Sequence, residues 1–91
     1  MSTLTFQIPP FSIEVDGVQC EIMEVIKSQY PDGKPIYSVS VRIHYKGLTS
    51  RIFPLVCNDE KDMINKLKAE VTKMKLMDYS YGLEYLKKVM T

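Results

Sequence analysis

The sequence predicts an α+β fold: a four-stranded antiparallel meander over residues 11–57, packed on one face by a C-terminal amphipathic helix within residues 58–90. Three observations carry that reading. Apolar and polar residues alternate through the first half of the chain, turn-forming dipeptides separate the alternating runs, and the apolar period lengthens from two to about 3.6 after Cys57. Strands that come first and helices that come last point to a sheet with one apolar face, closed by the stripe of the helix. A chain of 91 residues holds one such core and reads as a single domain.

Leu4, Phe6 and Ile8 alternate with polar neighbours and allow an extra N-terminal strand, which Pro9-Pro10 ends by removing two amide donors. Phe11, Ile13 and Val15 alternate with Ser12, Glu14 and Asp16 as the next strand. Asp16-Gly17 suits a tight primed turn, so the chain from Val18 returns as the second arm of a hairpin. Val18, Cys20 and Ile22 share one face of that arm. The run Ile22-Met23-Glu24-Val25-Ile26 then breaks the alternation, and a bulge is expected there. Pro31-Asp32-Gly33-Lys34-Pro35 carries the strongest loop chemistry. Beyond it Tyr37, Val39, Val41, Ile43 and Tyr45 face one way, and Ser38, Ser40, Arg42 and His44 the other, as in a central strand. Lys46-Gly47 turns the chain into a fourth strand from Leu48 to Val56, which Pro54, lacking an N–H, marks as an edge. Successive strands then lie side by side without a crossover.

Asn58 or Asp59 can cap the helix that follows, with Asp62 as negative charge in its first turn. Ile64, Leu67, Val71, Met74 and Met77 form its apolar stripe, joined by Met63. Lys66 and Lys73 flank one rim of the stripe, and Lys61, Lys68 and Lys75 the other. Asp78-Tyr79-Ser80-Tyr81-Gly82 interrupts the pattern. Either Asp78 or Ser80 caps a second, shorter helix with Leu83, Leu86 and Met90 on its apolar side, or one helix runs through Gly82 at a cost of about 1 kcal/mol relative to alanine.

Twelve Lys plus Arg against eleven Asp plus Glu leave a net charge of +1, which removes the overall basic excess by which most nucleic-acid binders hold phosphates. No apolar run approaches the roughly 20 residues of a membrane-spanning helix. The start of the chain lacks the basic and apolar segments of a secretory signal, so the expected location is the cytoplasm. Cys20 and Cys57 lie 37 positions apart among apolar neighbours and read as reduced core thiols. Only two Asn and three Gln suit a thermophilic source, where an intracellular disulfide would also be allowed.

His44 is the only histidine, and alternation puts it on the face opposite Cys20, which argues against both a zinc site and a Cys-His nucleophile pair. Glu14 and Glu21, on the wet side of the first hairpin, read as ordinary surface charges. Gly17, Gly33, Gly47 and Gly82 are isolated, so no phosphate cradle is expected. The sequence therefore calls for no catalytic residue, no metal and no cofactor. Binding remains. Tyr79, Tyr81 and Tyr85, with Met77 and Met90, form a candidate docking surface for a protein partner or a second copy of the chain. The competing reading is that these rings pack the last helix on the sheet. Charge is also uneven. Residues 11–32 hold Glu14, Asp16, Glu21, Glu24 and Asp32 against Lys27, a net −4, whereas residues 33–57 hold Lys34, Arg42, Lys46 and Arg51 and no acid, a net +4. Either the two halves pair across strands, or Arg42, Lys46 and Arg51, with His44, form a basic hairpin for the phosphates of a nucleic acid. The expectation is a non-catalytic protein-interaction module that binds another protein or a second copy of itself through the tyrosines or a sheet edge. The alternative is a nucleic-acid-binding accessory protein.

Overall fold

Two tight turns set the first half of the fold in a computed structural model that describes residues 8–90. Asp16 and Lys46 have φ of 49° and 48°, and the glycine after each, Gly17 or Gly47, has φ of 80°. Consecutive positive φ values are those of a type I′ turn, whose twist matches the twist of the strands it joins. The turns link β1 (Phe11–Val15) to β2 (Val18–Gln29) and β3 (Pro35–Tyr45) to β4 (Leu48–Thr49), with the 31–34 loop between β2 and β3. A last strand, β5 (Phe53–Cys57), also pairs with β3, so the sheet is an antiparallel meander with β3 at its centre. Of the N-terminal run, Leu4 and Phe6 lie outside the described residues, and Ile8 is exposed in a bend.

The expected bulge is present. Ile22 faces Val41 but Glu24 faces Ser40, leaving Met23 as the extra residue. Its consequence is a change of phase: Val25 faces the buried Val39 and continues the core side, while Ile26 turns to the open face.

The fourth strand is not continuous from Leu48 to Val56, and Ser50 is the reason. Its N–H donates to Ile43 O (2.8 Å), while its Oγ accepts from Ile43 N (2.8 Å) and donates to Arg51 O (2.9 Å). A side-chain hydroxyl thus takes over a rung of the ladder. Arg51 N, freed from the sheet, donates to Met90 O at 3.1 Å. In β5 the edge is blunted twice. Lys66 Nζ donates to the carbonyl of Val56, which therefore faces outward, and Pro54, two residues earlier, shares that orientation. Its missing N–H costs no rung.

Helix α1 (Glu60–Tyr81) starts at Asp59, whose side chain accepts from Asp62 N (2.7 Å), while Asn58 N donates to Asp62 Oδ2 (3.0 Å). Its 22 residues cover about 33 Å and run along the sheet in the direction of β3. Met63, Leu67 and Val71 are buried against Cys20, Ile22, Val39, Val41 and Ile43, with Ile64, Met74 and Met77 around them. The lysine rims touch both sides of the sheet: Lys66 reaches β5, and Lys75 Nζ donates to Asp16 O (2.7 Å) in the β1–β2 turn.

Neither Asp78 nor Ser80 caps a second helix, because α1 continues through both as far as Tyr81. The break comes at Gly82, with φ 90° and ψ 167°, a conformation essentially restricted to glycine. Helix α2 (Leu83–Met90) then turns back, burying Leu86 and Met90. Its last carbonyl is the one that Arg51 caps, so α2 plugs the gap between β4 and β5. Among the described residues no helix is long and apolar enough to cross a membrane.

Candidate functional site

Among the described residues, three clusters of polar and aromatic side chains bear on function. The first occupies the open face of the sheet, where β3 presents Arg42 and His44. Arg42 stands directly opposite Glu21 in the ladder, and its Nε and Nη2 both donate to Glu21 Oε1, at 3.2 and 3.1 Å. His44 Nε2 shares the same oxygen at 3.0 Å, and its Nδ1 lies 3.2 Å from Thr49 Oγ1. A carboxylate can only accept, so Nε2 carries the hydrogen, and in the neutral ring Nδ1 accepts from the threonine. The hydrogen bonds from His44 and then Arg42 hold the Glu21 carboxyl below its ordinary range. Cross-strand pairing thus engages two of the four residues of the basic hairpin.

The second cluster clamps the β3–β4 turn to α1. Tyr45 Oη and Lys46 Nζ both donate to Asp78 Oδ2, at 2.8 and 2.7 Å. Lys46, followed by Tyr45, holds the Asp78 carboxyl low. In return the hydrogen bond to Asp78 raises Lys46, while burial and then Asp78 raise the Tyr45 hydroxyl. Lys46 is therefore also engaged. Arg51 alone of the four predicted basic residues has no carboxylate partner among the described residues.

The third cluster is the corner between α1 and α2. Tyr79, Tyr81 and Tyr85 are 92%, 68% and 45% exposed, so none of them belongs to the buried core. They do not form one patch. Tyr79 and Tyr81, two positions apart on α1, point to opposite sides of it, about 200° apart. Tyr81 and Tyr85 do meet across the break at Gly82, with ring centroids 4.7 Å apart and planes tilted by 39°. One helical turn from each ring of this pair, at Met77 and Val89, opens a cleft of about 230 Å³ between the helices and the break in the fourth strand, with Phe53, Met74, Met77, Leu86 and Val89 in its walls and the exposed Arg51 also lining it. The helix stripe supplied part of that lining in the sequence. The cleft itself is not legible in the sequence, because it lies where Ser50 interrupts the strand.

Both cysteines are free and buried. Cys20 lies opposite Ile43 and Cys57 opposite Tyr37, on the two flanks of β3 and six residues apart along it. That offset is about 20 Å, far beyond the roughly 7 Å that a disulfide can span. Burial pushes both thiols up to about 11, with Asp62 adding to the effect at Cys57. Among the described residues no three His, Cys, Asp or Glu side chains come together as a metal site.

No family model matches the chain, and no curated protein or solved structure matches it significantly. Its function has to be read from its own surface.

Proposed function

We propose that this chain is a non-catalytic protein-interaction module, acting in the cytoplasm, whose docking surface is the corner between α1 and α2. One observation carries the reading: Tyr81 and Tyr85 meet ring to ring on the surface, and neither is among the buried residues of the core. Tyrosine is enriched at protein interfaces because it gives rigid contact area with a polar end. Leu83 and Val89, also exposed on α2, extend the apolar surface. Two thiols placed too far apart to bridge suit a reducing compartment. The nucleic-acid reading draws less support, because Arg42, His44 and Lys46 already serve internal carboxylates.

The test combines light scattering over a range of concentrations with capture of partners on the immobilised chain. The double variant Tyr81→Ala, Tyr85→Ala should lose the self-association or the captured partner that the parent chain shows. A strictly monomeric parent chain, together with a captured set unchanged by the double variant, would overturn the proposal. Retention on DNA or RNA at about 50 mM salt that disappears in Arg42→Ser, Lys46→Ser, Arg51→Ser would favour the nucleic-acid function instead.

A further inference from the structure

We infer that the cleft one helical turn from the tyrosine pair is a peptide-recognition site that takes one apolar side chain from an acidic partner segment, with Arg51 pairing the partner's carboxylate. The inference rests on the protein-binding reading above and adds to it the place and the chemistry of the partner.

Size is the first argument. A volume of about 230 Å³ is below the roughly 300–1,000 Å³ of sites that enclose a whole small molecule, and it suits a single anchoring side chain. The lining is the second. Met74 and Met77 bring unbranched, polarisable side chains that adapt to different apolar shapes, and Phe53 and Leu86 bring fixed walls. The third is continuity: Tyr81 lies one helical turn beyond Met77, and Tyr85 one turn before Val89. The apolar strip therefore runs from the cleft to the tyrosine pair, so a segment anchored in the cleft can continue over the two rings.

Charge chooses the partner. Glu70, on the wall of the cleft, is occupied by Lys73 at 3.3 Å. Arg51, exposed on the same lining, meets no carboxylate among the described residues, so the cleft carries one unmatched positive charge. A guanidinium binds a carboxylate through two parallel N–H donors, which fixes direction as well as sign. The matching segment has a Leu, Phe or Met with Asp or Glu beside it.

The experiment uses the full chain as bait for a display library of linear dodecapeptides. Enriched peptides should share an apolar residue flanked by an acid. Arg51→Glu should weaken their binding about tenfold, through lost attraction and added repulsion, and Val89→Asp should abolish it. Reselection on Arg51→Glu should exchange the acid for Lys or Arg. Tyr79→Ala, on the far side of α1, should change nothing. Arg51 and Val89 are exposed, and circular dichroism of both variants should match the parent chain. Failure to enrich any peptide, or peptides indifferent to Arg51→Glu and Val89→Asp, would overturn the cleft. Peptides that are lost only in the Tyr81→Ala, Tyr85→Ala variant would overturn it too while leaving the corner as the docking surface.

Discussion

Asp78 lies 32 positions beyond Lys46 in the chain, yet its carboxylate binds both Lys46 and the hydroxyl of Tyr45. These contacts lower its proton affinity in the folded state, as His44 and Arg42 do for Glu21 and the Asn58 N–H does first for Asp62. On acidification the unfolded chain takes up protons first, near the usual carboxylate value of about 4, and the folded protein only at lower pH. The stabilisation is thus complete above about pH 4 and is lost as pH falls through the lowered values. Urea denaturation between neutral pH and pH 3 should show the midpoint falling. Asp78→Asn should be less stable than the parent chain at neutral pH, with the gap closing in acid; a gap that stays constant with pH would show that the charge of Asp78 contributes nothing.

The break between α1 and α2 depends on one backbone conformation. Gly82 has its carbonyl and N–H engaged, accepting from Leu86 N at 3.2 Å and donating to Asp78 O at 2.9 Å, so the corner is fixed. A Cβ at this position meets no neighbouring atom, and the cost of adding one comes from φ alone. Gly82→Ala should therefore lower stability by about 1–3 kcal/mol, seen as a fall in Tm of about 4–8 °C for each kcal/mol. An unchanged Tm would mean that the chain accepts a continuous helix. The sequence shows both choices, a break near Gly82 or one long helix, because Asp78 and Ser80 can cap a new helix while a glycine inside one costs only about 1 kcal/mol. A bulge within residues 22–26 is legible, since four apolar residues in five positions cannot alternate; that Met23 is the extra residue is not. Nor is the interruption at Ser50, because nothing in Ser50-Arg51-Ile52 announces that a hydroxyl will stand in for a backbone rung.

Sheet and helix share one core, and Leu67 lies wholly buried at its centre. Leu67→Ala should cost about 2–5 kcal/mol, the transfer of the side chain plus the cavity left behind. Because the same contacts hold both layers, far-ultraviolet and near-ultraviolet dichroism should report a single coincident transition in the parent chain and in the variant. Separate transitions would show that the sheet survives without its helix. Electrostatics adds little at this level: a net charge of +1 gives no field strong enough to choose a partner. In the proposed recognition, the local charge of Arg51 beside an apolar cleft therefore outweighs the overall balance of charge.

The first three strands, the turns at Asp16-Gly17 and Lys46-Gly47, the central place of β3 and the stripe of α1 are readable from the chain, whereas the split of the fourth strand is not. Each readable feature depends on neighbours within a few positions, through alternation, turn geometry or helical period. Which exposed tyrosines meet, which lysine or arginine finds a carboxylate and where a cleft opens depend on contacts between segments far apart in the chain. Tyr79, Tyr81 and Tyr85 looked like one cluster along the sequence, but the helix turns Tyr79 away and the corner at Gly82 brings Tyr85 to Tyr81. Arg42 and Arg51 looked alike until the ladder set one against Glu21 and the plugged gap left the other on the lining of a cleft.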